Sequence, residues 1–224
     1  MKIKGAIFDL DGTLVDSLGF WDILWKVFSK KYCINNFKPN KEEYKKVKTM
    51  TFENSMNFIY TKYNIGENGK ELLEILKHTL KNYYESEVKL KNGVKEFLIY
   101  LYNKSIPMCV ASATDIELVN LAIKHCEIDG YFMNVISCAE IGIGKDKPDI
   151  FYKALELLKT PIEETWLFED SLVALKTGKQ IGFNTVGIYD KYNCEQDEIK
   201  KLSSIYISVN NTLATLLEDR STNI

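Results

Sequence analysis

No apolar stretch in the sequence approaches the roughly 18 residues of a membrane-spanning helix, which excludes a helical integral membrane protein. The leading residues, Met1-Lys2-Ile3-Lys4-Gly5-Ala6, hold too short an apolar run for a secretory signal, so a cytoplasmic protein is expected. Charge of one sign is also missing. Lys and Arg number 29 against 31 Asp and Glu, a formal net charge of −2. Such a balance gives no long-range attraction to nucleic acid or anionic lipid, and neither is expected as a partner. There is no Cys-x-x-Cys pair. The five cysteines (Cys33, Cys109, Cys126, Cys138 and Cys194) are odd in number and scattered, which speaks against a disulfide framework or a zinc site. Reduced thiols are expected, with Cys109 and Cys126 at apolar positions of their elements. Histidine is nearly absent: His78 and His125 lie outside every motif and read as structural or exposed. Internal repeats, low-complexity segments and charged tails are lacking too.

What remains is an ordinary globular composition, 46% hydrophobic and 27% charged over 224 residues. That length suits one large domain, or a core with a smaller insert. The chain is organised around Ala6-Ile7-Phe8-Asp9-Leu10-Asp11-Gly12-Thr13-Leu14-Val15-Asp16-Ser17. Ile3 and Ala6 to Phe8 read as a buried strand that stops at two carboxylates, a Gly and a Thr. Side chains two apart on a strand point the same way, so Asp9 and Asp11 are presented side by side where the strand ends. Two such carboxylates repel and call for a cation: Mg²⁺, a lysine, or both.

After Ser17 the pattern becomes helical for some seventy residues. Phe20, Trp21, Leu24, Trp25 and Phe28 form one stripe; Phe52, Met56, Ile59, Tyr60 and Tyr63 a second; Leu73, Leu76, Leu80 and Tyr84 a third. The lysines at 38, 41, 45, 46 and 48 read as a solvated helix face. From Val88 strands and helices alternate. Helices are expected from Gly93, from a capping box Thr114-Asp115-Ile116-Glu117, from Pro148-Asp149 and from Leu172. Strands are expected at Met108 to Ala111, Asn134 to Ser137, Trp166 to Phe168, Thr185 to Tyr189 and Ile205 to Ile207. Repeated βα units imply an α/β fold with a doubly wound parallel sheet. The helical block interrupts that alternation straight after the first strand. It is therefore read as an inserted all-helical cap domain, residues 18–87, with residues 1–17 and 88–224 forming the core.

In a parallel sheet the strand ends share one edge, where ligands bind. Four of them finish in polar residues: Asp9 and Asp11, Ser112, the loop bearing Lys145, and Glu169 with Asp170. In order along the chain, these segments resemble the four motifs of the haloacid dehalogenase superfamily, in its phosphatase and phosphoglucomutase-like branch. Asp9-Leu-Asp11-Gly-Thr-Leu-Val-Asp-Ser is similar to the first, Ala111-Ser112-Ala113-Thr114 to the second, Gly144-Lys145-Asp-Lys-Pro148-Asp149-Ile-Phe to the third, and Phe168-Glu169-Asp170-Ser171 to the fourth.

The resemblance implies a Rossmann-type core, a helical cap and an Mg²⁺-dependent phosphatase. Asp9 would attack phosphorus to give an aspartyl-phosphate, and Asp11 would protonate the leaving oxygen and later activate water. Mg²⁺ would be held by Asp9, the Asp11 carbonyl and Asp170. Ser112 and the N–H groups of Gly12, Thr13 and Ala113 would bind phosphoryl oxygens, and Lys145, chosen over Lys147 by family spacing, would screen Asp9 from the phosphate. Glu169 is a further metal candidate. Asp16 reads as a cap for the first inserted helix.

A dehalogenase needs no second aspartate, so Asp11 favours phosphoryl transfer. The mutase alternative expects a histidine where Leu18-Gly19-Phe20-Trp21 stands and an arginine near Thr49 to Glu53, and neither is present. A non-catalytic phosphate-binding protein is the remaining alternative. The expected partner is a small phosphorylated metabolite, with Thr49 to Glu53 as candidate selectors, Trp21 and Trp25 reading as core filling ahead of a selector role, and the expected state is a monomer.

Overall fold

The computed structural model describes residues 2–218. The chain divides into two compact units, Met1–Leu18 with Val88–Ile224, and Gly19–Glu87. In the first unit six strands form one sheet: β1 (Gly5–Phe8), β2 (Met108–Ser112), β3 (Asn134–Ser137), β4 (Thr165–Glu169), β5 (Asn184–Ile188) and β6 (Ile205–Ile207). Their order is β3-β2-β1-β4-β5-β6, and every pairing is parallel. The connections run one way from β1 through β3 and the other way from β4 through β6. The reversal falls between β1 and β4, the crevice where open α/β sheets bind ligands.

The strands are apolar on consecutive residues because both sheet faces are covered. Ile7, Cys109, Ala111 and Leu167 join a core cluster with Ile150, Phe151, Ala154 and Leu158 of the helix Asp149–Leu158. On the opposite face Phe8 stacks on Phe168, centroids 4.4 Å apart, and meets Phe97 and Phe132 edge-on. Register places Phe8 level with Phe168, so the residues that follow, Asp9 and Glu169, leave the sheet at the same height.

The second unit holds α1 (Phe20–Lys31), α2 (Lys41–Thr49), α3 (Phe52–Tyr63) and α4 (Gly69–Ser86). Local sequence sets most of their ends. Asn40 and Glu43 form a capping box on α2, Thr51 caps α3, Asn68 caps α4, and Asn64 ends α3 in the left-handed region at φ 50°. Two sequence expectations change here. In α4 the buried residues run through Leu72, Leu76, Leu80, Tyr83 and Tyr84, whereas Leu73, which shares the helical face of Leu80, is only half-buried. The first helix begins from Gly19 without a side-chain cap, so Asp16 is not its cap. Trp21 and Trp25 are both buried and stack with centroids 5.5 Å apart, Trp21 also meeting Phe52 and Trp25 meeting Phe37. Among the lysines read as a solvated face, Lys38, Lys41 and Lys46 are exposed; the side chains of Lys45, Lys48 and Thr49 lie outside the described set.

The remaining helices flank the sheet strands in sequence: α5 (Val94–Asn103), α6 (Ile116–His125), α7 (Cys138–Ile141), α8 (Asp149–Leu158), α9 (Leu172–Ile181), α10 (Gln196–Leu202) and α11 (Thr215–Glu218). The short α7 is an addition to the expected elements; Ser137 and Glu140 close a capping box around it. Among the described residues no helix is long and apolar enough to cross a membrane. His78 and His125 are exposed, as are Cys33 and Cys194, and no disulfide links the described cysteines.

Candidate active site

Asp9 leaves β1 with its N–H bonded to the Phe168 carbonyl at 3.0 Å, which fixes it beside β4. Its carboxylate accepts from the Lys145 ammonium, and the same ammonium donates to Glu169 Oε1 at 2.5 Å. Carboxylate oxygens of Asp9, Glu169 and Asp170 all lie within 4.8 Å of one another. These three acids are almost entirely buried, and the Lys145 ammonium is bonded to two of them, Asp9 and Glu169. Burial, followed by the charges of Glu169 and Asp11, pushes the Asp9 carboxyl up to about 8 against the pull of Lys145. Burial and the neighbouring acids also raise Asp170. Burial opposes the charge of Lys145, yet the contacts with Asp9 and Glu169 raise it above the ordinary lysine value. Three acids, with Lys145 bonded to two of them and the charge of Lys91 acting on Asp170, leave the pocket short of positive charge. Buried, oxygen-only and close-set, they fit a hard divalent cation such as Mg²⁺.

Asp11 sits two residues on and is only half-buried. Ser17 Oγ donates to its Oδ1 at 2.5 Å and Thr114 Oγ1 to its Oδ2 at 2.8 Å. Thr114 therefore does not form the expected capping box. The cap position of α6 belongs to Asp115, which makes no side-chain cap bond, and the Thr114 hydroxyl is committed to Asp11. The Thr114 N–H donates to Ser112 Oγ at 3.0 Å and its carbonyl accepts from Ser137 Oγ at 2.7 Å, so three strand ends are laced together.

The loop after β1 is a tight turn. Gly12 adopts φ +82°, and a Cβ there would lie 2.6 Å from Asp170 Oδ2, so only glycine lets the loop approach the acid. The Gly12 N–H donates to Val15 O at 2.9 Å and the Thr13 N–H to Leu10 O at 3.3 Å. Two of the three amides expected at a phosphoryl group are thus engaged within the turn. The Thr13 hydroxyl is buried and has no hydrogen-bond partner among the described residues. Ser112 is buried at the end of β2 and Ala113 beyond it is exposed. Lys147, the rejected lysine, is exposed, two residues from the buried Lys145.

Sequence reasoning left four participants without a site role: Ser17, Thr114, Lys91 and Asn193. The Lys91 ammonium donates to Gly12 O at 2.5 Å and to Tyr189 O at 2.8 Å, and Asn193 Nδ2 donates to Asp170 O at 2.6 Å. Their partners are distant in sequence, and no local pattern marks them.

The sequence pattern of the haloacid dehalogenase-like hydrolases matches residues 6–188. The chain belongs to that family. It is 24% identical over 188 residues to pyrophosphatase PpaX of Anoxybacillus flavithermus, covering 84% of each chain. It is 20% identical over 185 residues to a phosphorylated carbohydrates phosphatase of Thermotoga maritima, covering 82% of this chain and 84% of the other. The crystal structure of CbbY from Rhodobacter sphaeroides in complex with phosphate superposes with a TM-score of 0.77 at 19% identity, over 96% of each chain. That likeness establishes the shared fold, a haloacid dehalogenase-type α/β core with an inserted helical cap. The chain is a hydrolase-type enzyme of this superfamily, in its phosphatase-like branch.

Proposed function

We propose that this chain is a phosphoric monoester hydrolase, an Mg²⁺-dependent phosphatase acting on a small phosphorylated metabolite in the cytoplasm. The observation that carries the reading is the Lys145 ammonium bonded at once to Asp9 and Glu169 beside Asp170, with Asp11 held two residues from Asp9. The names of the relatives, a pyrophosphatase and a phosphorylated carbohydrates phosphatase, point to the same class of bond.

An Asp9 oxygen attacks phosphorus while the bond from phosphorus to the leaving oxygen breaks, and Asp11 gives that oxygen its proton. A water molecule then attacks the aspartyl-phosphate, Asp11 accepts the water proton, and inorganic phosphate leaves with Asp9 restored. Lys145 keeps positive charge against the nucleophile, so a phosphate dianion can approach a carboxylate. Ser17 and Thr114 orient the Asp11 carboxyl, and the Thr13 hydroxyl, without a partner among the described residues, donates to a phosphoryl oxygen, as does Ser112. A bound Mg²⁺, held by Asp9, Asp170 and the Asp11 carbonyl, supplies charge neutralisation for the transferring group. Glu169 shares the Lys145 ammonium with Asp9 and is a further candidate ligand beside Asp170.

The test is phosphate release from inorganic pyrophosphate and a panel of sugar phosphates, with Mg²⁺ and with chelator, for the wild type and Asp9→Asn. Metal-dependent turnover that falls by at least about a thousandfold in the variant is expected for loss of a covalent nucleophile. Turnover that survives Asp9→Asn overturns the mechanism.

A further inference from the structure

We propose that Lys91 is a positioning residue of the metal site, a strut that sets metal affinity without touching the metal or the substrate. This rests on the metal-dependent reading above. Lys91 follows the chain's return to the α/β unit at Val88. There Val15 and Leu90 form an antiparallel bridge, with Asp16 N–H donating to Lys89 O and Lys91 N–H to Leu14 O, each at 2.9 Å. The backbone of Lys91 is thereby fixed against the segment that leaves the β1 turn.

Its side chain is largely enclosed, and its ammonium makes three contacts: Gly12 O at 2.5 Å, Tyr189 O at 2.8 Å, and the buried Asp190 carboxylate at 2.9 Å. An ammonium has three donors, so all of them are spent on protein and none is left for a ligand. What these contacts hold is informative. Gly12 is the residue packed against Asp170 Oδ2, and it adjoins Asp11, whose carbonyl is a proposed ligand. Asp190 O accepts the Asn193 N–H at 3.0 Å, and the Asn193 side chain in turn donates to Asp170 O at 2.6 Å. Lys91 therefore joins both flanks of the acid: the Gly12 turn on one side and, through Asp190 and Asn193, the Asp170 backbone on the other. Groups that orient ligands in this way tune affinity by about 10- to 100-fold.

Lys91→Met alone strands Asp190 as a buried unpaired charge, so the double variant Lys91→Met/Asp190→Asn, which removes both charges, is measured beside it. Mg²⁺ binding is read by titration calorimetry on the full chain, with Asp170→Asn as the ligand-loss control and melting temperatures for each protein. The expected result is a dissociation constant for Mg²⁺ raised at least tenfold in the double variant with calorimetric stoichiometry kept. In turnover assays the Mg²⁺ concentration for half-activation should rise by the same factor, while the rate at saturating Mg²⁺ stays within about threefold. A role confined to stability would lower the melting temperature and the active fraction but leave the dissociation constant unchanged, and that result overturns the proposal. Wild-type and Asp170→Asn proteins that both fail to bind Mg²⁺ would refute the metal reading itself, and the strut with it.

Discussion

Replacing Asp9 by Asn should remove turnover and yet make the metal-free protein more stable. Glu169 and Asp170 place carboxylate oxygens within 4.8 Å of Asp9, a repulsion of about 3.5 kcal/mol each at an effective dielectric of about 20. The Lys145 ammonium lies closer still and offsets most of that repulsion, so what Asn relieves is chiefly the burial of a charge, worth about 5 kcal/mol once Asp9 is ionised, or roughly 10–20 °C in Tm for a chain of this size. The pH dependence gives the expectation its sign. Burial, with the charges of Glu169 and Asp11, lifts Asp9 from an ordinary 3.8 to about 8. Between those values the native protein holds a proton that the unfolded chain has released. The contribution of Asp9 to stability is therefore intact below pH 3.8 and is lost as pH rises through about 8, by at most about 1.4 kcal/mol per pH unit. Asn at this position does not titrate. The stability gap between variant and wild type should open from near zero at pH 4 to about 5 kcal/mol at pH 8. Thermal melts in chelator across that range measure it. Adding Mg²⁺ should narrow the gap by about half, since ligand at about 100 times its dissociation constant stabilises the wild type by about 2.7 kcal/mol. A variant no more stable than wild type at pH 8, or a gap that does not change with pH, refutes the electrostatic account of the cluster.

Two further outcomes follow from the turn after β1. Thr13→Val replaces a buried hydroxyl lacking a partner with a methyl group, so the phosphate-free melting temperature should hold or rise slightly, while competitive inhibition by inorganic phosphate should weaken about tenfold. Gly12→Ala puts a Cβ 2.6 Å from Asp170 Oδ2 at φ +82°, and should cost about 1–2 kcal/mol in chemical denaturation and weaken Mg²⁺ binding in calorimetry.

Much of the fold was legible in the chain because local chemistry and burial agree. Consecutive apolar residues such as Ala6-Ile7-Phe8 and Trp166-Leu167-Phe168 mark strands covered on both faces, and the loss of that alternation after Ser17 marks the helical insertion. Asn40, Thr51 and Asn68 start helices by accepting from their own next turn, a local signal that the sequence reading did not use. The same logic misleads at Thr114. A capping box is local chemistry, and here Asp11, 103 residues away, takes the hydroxyl instead. Carboxylates at strand ends were visible as candidates since a parallel sheet gathers its ends on one edge.

By itself, then, the sequence determined the α/β alternation, the place of the inserted helices, and which residues of chemical character fall at strand ends. Only the tertiary structure decided which of them meet. It put Lys145 between Asp9 and Glu169, left Lys147 in solvent, and spent the Gly12 and Thr13 amides inside their own turn. It also joined Lys91 to Gly12 and Tyr189, 79 and 98 residues away in the chain. The physical reason is range. Periodicity and capping act within a few residues, whereas a charge seeks whichever partners the folded sheet brings near, and burial makes that choice binding.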